Sequence, residues 1–138
     1  MERKKNNIIV AIDGPAGAGK STIARMVAKH LKILYIDTGA MYRAVTYLAL
    51  KNNFSFQDDM DNIVKMAEKS EIILKEENNN YFVFINGMNV TEEIRTPEVT
   101  KNISFVAANP EIREIMVKMQ QRLGERGGVC LLYTSDAA

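Results

Sequence analysis

The sequence has a single cysteine and almost no excess of charge of either sign. Cys130 is the one cysteine among 138 residues, so no disulfide can form within the chain, and a reducing compartment is favoured. Lys and Arg together number 18, and Asp and Glu number 17. This balance provides no overall basic field for nucleic acid or for a membrane surface, and neither is expected as a partner.

Long apolar runs are also missing. A charged stretch at residues 2–7 is followed by only five apolar residues before Asp13, too few for the apolar region of a signal peptide. No run approaches the length of a membrane-spanning helix. With 46% apolar residues, the chain is predicted to be one soluble, cytoplasmic domain that buries a real core.

The most informative stretch is a glycine-rich loop at residues 14–21. It fills every fixed position of the pattern G-x-x-x-x-G-K-[ST]. Glycines let the backbone close around a phosphate, and the turned N–H groups form an anion nest. Lys20 is the predicted catalytic residue, directed at the β- and γ-phosphates, and Ser21 is the predicted Mg²⁺ ligand. The predicted phosphate-binding residues are Gly14, Pro15, Ala16, Gly17, Ala18, Gly19, Lys20 and Ser21.

The flanking sequence has the arrangement that this loop requires. Residues 8–12 form an apolar run typical of a buried parallel strand. After the loop, apolar residues recur at helical spacing and predict one buried helix face, made of Ile23, Met26, Val27 and Leu31. Strand, glycine loop and helix together indicate a P-loop, and the alternative is a glycine-rich turn that binds nothing.

A second strand and helix follow directly. Residues 33–36 predict a short buried strand, and a helix is predicted from Ala40 to Lys51. Strands that alternate with helices favour an α/β parallel sheet, in which ligands bind at the carboxyl ends of the strands. Asp13 and Asp37 lie at those ends and are expected to face the ligand crevice.

The period of the pattern then changes. After a short helix around residues 60–67, strands are predicted at 71–75, 81–85 and 88–90, with Asn86-Gly87 as a type I′ turn. They predict a small antiparallel sheet. Helices are expected to begin at Thr96-Pro97, where Thr96 caps, and at Asn109-Pro110. The last helix carries an apolar stripe and ends at Gly124; the stripe is Ile112, Ile115, Met116, Met119 and Leu123.

The start of the second predicted helix combines three polar groups suited to an acceptor substrate. Thr38 offers a hydroxyl, Tyr42 an aromatic ring and Arg43 a guanidinium that grips a phosphate through two hydrogen bonds. The alternative, equally open on spacing alone, is that Tyr42 packs in the core and Arg43 pairs with Asp37 or with solvent.

Taken together, these motifs resemble those of the bacterial cytidylate kinases. The resemblance lies in residues 12–21, 37–43, 93–99, 104–108 and 110–113. It implies a P-loop nucleoside monophosphate kinase-like α/β fold, with an incomplete parallel sheet and an inserted antiparallel sheet. The implied single domain has its core at residues 6–52 and 110–129 and a monophosphate-binding insert at about 53–109.

The resemblance also implies a reaction, which is transfer of the ATP γ-phosphoryl group to CMP or dCMP by a monomer that uses Mg²⁺. It extends the ATP-binding residues to Thr22. It assigns Thr38, Tyr42 and Arg43 to the acceptor phosphate and ribose, and Ser104 and Arg113 to the cytosine ring. If the resemblance is set aside, the favoured interpretation is that Ser104 only donates a hydrogen bond to a carbonyl of its own helix and that Arg113 is a solvated residue of the first turn. Another P-loop small-molecule kinase and a non-catalytic nucleotide-binding module are the alternative functions.

The resemblance stops after Val129. The family continues with an Asp-Gly-Arg-Asp motif, whereas residues 130–138 read Cys-Leu-Leu-Tyr-Thr-Ser-Asp-Ala-Ala. Residues 130–138 are therefore predicted to be foreign to the family, although 130–133 are apolar enough to take the third strand position of the sheet. A sheet without its later strands leaves an open edge, so this polypeptide is expected to be marginally stable and nearly inactive.

Overall fold

Two small sheets and five helices make up the described part of the chain. The computed structural model describes residues 9–12, 19–78, 80–125 and 129–132. The strands are β1 (Ile9–Ile12), β2 (Leu34–Asp37), β3 (Ile72–Glu77), β4 (Asn80–Ile85), β5 (Met88–Asn89) and β6 (Val129–Leu132). The helices are α1 (Lys20–Leu31), α2 (Thr38–Lys51), α3 (Met60–Lys69), α4 (Pro97–Ala108) and α5 (Pro110–Glu125), with a 3₁₀ turn at Glu93–Arg95.

The first sheet is parallel, in the order β1-β6-β2. Strand β6 lies in the middle and pairs with both neighbours, so that Val129 is in register with Ile9 on one side and Leu34 on the other. The prediction that the apolar segment from residue 130 takes a strand position in this sheet is confirmed through Leu132, whereas Tyr133 lies outside the described residues.

Helix α1 packs on this sheet through small side chains. Ala24 and Ala28 are buried, whereas Ile23 is 53% exposed and Met26 is 65% exposed. The predicted buried face of this helix is therefore wrong for Ile23 and Met26, whereas Leu31 packs against the cluster of Ala24 and Ala28. Alanines permit a close approach between helix and sheet, and the inward face is rotated accordingly.

The second sheet is antiparallel, in the order β3-β4-β5, as predicted. Asn86 and Gly87 both have positive φ, 52° and 81°, which confirms the type I′ turn. Val83 and Ile85 of β4 point inward and pack with Val90 against α2.

Helices α2, α3, α4 and α5 enclose the main core, a cluster that includes Val45, Ile63, Ile103 and Met116. Helix α2 begins at Thr38, two residues before the predicted start, because the Asp37 side chain caps it by accepting a hydrogen bond from the Ala40 N–H. The predicted stripe of α5 is confirmed and packs against α2, α3 and α4. None of the helices in the described ranges is both long and apolar enough to cross a bilayer.

The two predicted Pro-initiated helices differ in their caps. Asn109 Oδ1 accepts hydrogen bonds from the N–H groups of Glu111 and Ile112 at the start of α5. Thr96 occupies the N-cap position of α4, but the predicted side-chain cap is wrong. Its hydroxyl donates instead to the Glu93 carbonyl, which lies behind it in the 3₁₀ turn. The last predicted boundary, Gly124, is one residue short of the observed end of α5.

Tyr81 of β4 joins the antiparallel sheet to the parallel one. Its hydroxyl donates a hydrogen bond to the Tyr35 carbonyl of β2, and the two rings meet edge to face with centroids 5.0 Å apart. Burial raises the pKa of Tyr81 above its usual value, and the nearby Asp37 carboxylate raises it further. A protonated phenol is therefore built into the contact between the sheets.

We expect Tyr81→Phe to lower the free energy of unfolding by about 1 kcal/mol, because the Tyr35 carbonyl loses its donor while the ring contact is kept. Urea denaturation followed by circular dichroism measures the change. The matched control is Tyr47→Phe on α2, where the side chain is likewise partly buried but its hydroxyl makes no hydrogen bond within the described residues, so a loss below about 0.5 kcal/mol is expected there. Equal losses in the two variants would contradict the bridging role.

The same contact makes stability fall at alkaline pH. Above pH 10.0, the ordinary pKa of the phenol, the unfolded chain releases the Tyr81 proton while the folded chain retains it. The difference in free energy of unfolding between the wild type and Tyr81→Phe therefore has its full value below pH 10. Above pH 10 it falls by up to about 1.4 kcal/mol per pH unit. Denaturation curves at pH 8 and pH 11 measure this difference, and an unchanged difference would contradict it.

Candidate functional site

The carboxyl ends of β1 and β2 lie at the same level of the parallel sheet. Ile12, the last residue of β1, and Asp37, the last residue of β2, are both in register with Leu132 of β6. One strand separates them, so the two ends are about 10 Å apart across the sheet. The segments that follow β1 and β2 therefore begin at one edge, where parallel α/β sheets bind their ligands.

The glycine-rich loop that follows β1 is described only at its end. Asp13, Gly14, Pro15, Ala16, Gly17 and Ala18 lie outside the described residues. Gly19 has a φ of 76°, and a Cβ placed there would meet no atom within 4 Å. The left-handed conformation, rather than lack of space, is thus what favours glycine at this position. Helix α1 starts immediately afterwards with the backbones of Lys20 and Ser21, and Thr22 is exposed in its first turn.

Asp37 has a structural role at the end of β2. Its Oδ1 atom accepts a hydrogen bond of 3.3 Å from the Ala40 N–H. The side chain thereby satisfies one of the amide groups that have no partner within the first turn of a helix. The residue lies at the predicted edge of the sheet, and the cap explains why an acidic side chain stands there.

Thr38 and Tyr42 are both buried on α2. They are four residues apart and therefore share one face of the helix. Tyr42 packs in the main core with Ile36 and Val45, which is the arrangement named by the alternative interpretation of this residue. Their contacts with an acceptor substrate stay predictions.

Arg43 is held by a part of the chain far away in sequence. Its Nη1 atom donates to the carbonyl oxygen of Ile94 at 3.1 Å and to Thr100 Oγ1 at 2.9 Å. Ile94 belongs to the 3₁₀ turn and Thr100 to the first turn of α4. These two bonds tie α2 to the 3₁₀ turn and to α4, the helix that carries Ser104.

Ser104 and Arg113 are exposed on α4 and α5. Ser104 is one helical turn after Thr100, so both side chains lie on the same side of α4. Arg113 is in the first turn of α5, and its backbone N–H donates to the Asn109 carbonyl at 3.0 Å. The structure thus brings Ser104 to the side of α4 that Arg43 contacts, while no direct contact between Arg113 and Arg43 is described.

An aromatic pair lies near the junction of α4 and α5. Phe105 follows Ser104 and is 41% exposed. It stacks on Phe56, with the ring centroids 5.8 Å apart and the planes inclined by 16°. Phe56 is itself buried in the main core. The stack therefore attaches the exposed Phe105 of α4 to that core.

Sequence reasoning missed the partners of Arg43. Thr100 had one available signal, since it precedes Ser104 by four residues and therefore shares its helix face. The Ile94 carbonyl had none, because a backbone acceptor leaves no trace in residue type. The contact of Tyr81 with β2 had a weaker signal, because Tyr81 is the only polar side chain among the inward-facing residues of β4.

Comparison with known proteins gives one consistent family. The cytidylate kinase family matches residues 10–132. The cytidylate kinase of Lysinibacillus sphaericus is 51% identical over 127 residues, which is 92% of this chain and 56% of that protein. The cytidylate kinase of Bacillus subtilis is 47% identical over 131 residues, which is 95% of this chain and 57% of that protein.

The chain therefore spans little more than half the length of these curated relatives. The match nevertheless includes β2, all of β1 after Ile9, and the helices that carry Arg43, Ser104 and Arg113. A family match over most of the chain, together with relatives about half identical to it, leads to one conclusion: this chain belongs to the cytidylate kinase family.

Proposed function

We propose that this chain contributes the donor and acceptor sites of a nucleoside monophosphate kinase that transfers the ATP γ-phosphoryl group to CMP or dCMP. The observation that carries the proposal is the shared level of Ile12 and Asp37 in the parallel sheet. The ends of the two strands that precede α1 and α2 in the chain thus lie at one edge, and transfer between two bound nucleotides requires neighbouring sites. The relatives named cytidylate kinase support CMP or dCMP as the acceptor.

The donor side of the proposed site is built on the start of α1. A left-handed Gly19 with open space around it allows the backbone to approach a phosphate closely. The amides of residues 14–22 would cradle the phosphates, and Lys20 would neutralise charge on the β- and γ-phosphates. A hydroxyl such as that of Ser21 is an oxygen ligand of the kind that Mg²⁺ prefers, and the bound ion would neutralise charge on the transferred group.

The acceptor side is built on α2 and the two helices beyond it. Arg43 would grip the monophosphate, and Thr38 and Tyr42 would contact the phosphate and ribose from the same helix. Ser104 and Arg113 would contact the base. A guanidinium donates to the unprotonated ring N3 of cytosine but meets an N–H at the same position of uracil, so Arg113 would discriminate between the two pyrimidines.

Positioning and neutralisation of charge account for most of the rate in phosphoryl transfer. The Asp-Gly-Arg-Asp motif of the family does not follow Val129 in this sequence. We therefore propose that the 138-residue chain binds its nucleotides but transfers phosphate slowly, and binding is the measurement that tests the site.

We expect CMP and dCMP to bind this chain at least about tenfold more tightly than UMP, AMP or GMP, because the base contacts favour cytosine. Isothermal titration calorimetry with the five nucleotides measures the order. Arg113→Ala is expected to bring CMP and UMP within about threefold of each other.

The matched control is Arg122→Ala, which removes an exposed arginine of the same helix whose Nε donates to the Lys118 carbonyl. It should leave the ratio of CMP to UMP affinity unchanged. Tightest binding of a purine monophosphate would favour a different small-molecule kinase, and absence of any monophosphate binding would contradict the proposal.

A further inference from the structure

The two hydrogen bonds of Arg43 use one amino group of the guanidinium completely. Nη1 carries two hydrogens, and its two acceptors are the Ile94 carbonyl at 3.1 Å and Thr100 Oγ1 at 2.9 Å. A grip on phosphate through Nη1 and Nη2 would therefore displace one of these acceptors. These two bonds hold Nη1, and with it the guanidinium plane, against two atoms outside the helix that carries Arg43.

The two acceptors differ in how firmly the fold holds them. Ile94 is 1% exposed and packs against α2 beside Ala40, Ala44 and Leu48, so its carbonyl is fixed by the surrounding core. Thr100 is exposed in the first turn of α4. Its hydroxyl is the part of the arrangement that a substitution can remove without opening a cavity.

We propose that Thr100 is a positioning residue, which orients the Arg43 guanidinium for the phosphate of the acceptor nucleotide. This inference rests on the proposed function and adds a residue that the motifs did not indicate. Two acceptors on one Nη atom restrict rotation of the side chain up to the Cδ–Nε bond, so less side-chain entropy is lost when the phosphate binds. The effect should reach the phosphate and not the base.

The alternative is that Thr100 only fastens α4 to α2. A purely structural bond would weaken the binding of every ligand that uses this region, with or without a phosphate. Cytidine and CMP share the base and the ribose and differ in the phosphate alone. The ratio of their affinities therefore separates a positioning role from a structural one.

The experiment measures CMP and cytidine binding to the 138-residue chain and its variants by isothermal titration calorimetry. We expect Thr100→Val, which keeps the side-chain shape and removes the hydroxyl, to weaken CMP about five- to tenfold and to change cytidine less than twofold. Thr100→Ser, which keeps the hydroxyl, should restore CMP binding to within about twofold of the wild type.

The matched control is Thr91→Val. This substitution removes a threonine hydroxyl that accepts a hydrogen bond from the Val83 N–H at 3.0 Å in the antiparallel sheet, away from Arg43. It should lower thermal stability without changing the ratio of CMP to cytidine affinity. Circular dichroism verifies folding of each variant, and Thr100→Ala, which suits an exposed helical position, replaces Thr100→Val if that variant does not fold.

The outcomes separate this inference from the proposed function. If the wild type binds CMP selectively and Thr100→Val binds it equally well, the positioning role is wrong and the proposed function stands. Equal weakening of CMP and cytidine also overturns the positioning role, because it indicates a structural bond. If the wild type binds no cytidine nucleotide, the proposed function fails, and the role of Thr100 fails with it.

Discussion

The parallel pairing of β6 with both β1 and β2 is the constraint on which the site depends. Strands β1 and β2 do not pair with each other, and β6 pairs with both of them. Because Ile12 and Asp37 are in register with the same residue, Leu132, both strands end at one edge of the sheet. A shift of two residues in either ladder would move the end of one strand about 7 Å relative to the end of the other.

Helix α2 then connects this edge to the rest of the molecule. Its first turn is capped by Asp37, one of its faces packs in the main core through Tyr42 and Val45, and another packs against the antiparallel sheet through Ala44 and Leu48. Arg43 leaves the same helix toward the 3₁₀ turn and α4. A single rigid element thus relates the parallel sheet, the antiparallel sheet and the exposed face of α4.

The strands, the type I′ turn and the stripe of α5 could be predicted from the sequence, because each follows from local periodicity or from the preference of Asn and Gly for positive φ. The inward face of α1 could not, since Ile23 and Met26 are larger than the alanines that the sheet admits. The cap by Thr96 failed because a nearer carbonyl, that of Glu93, competes for its hydroxyl. Within the site, residue types indicated Thr38, Tyr42 and Arg43, but the bond from Arg43 to a backbone carbonyl 51 residues away depends on tertiary folding.

The alanine face of α1 has a consequence for the energetics of ligand binding. A buried methyl group contributes about 0.8 kcal/mol, whereas a fully buried Ile or Met contributes about 1.5–3 kcal/mol, so Ala24 and Ala28 attach α1 far more weakly than Ile112 and Met116 attach α5. We therefore expect α1 to open more readily than α5 in local fluctuations. A polyanion bound by the amino-terminal amides of α1 would restrain those fluctuations. Part of the free energy of binding would then be used to order the helix.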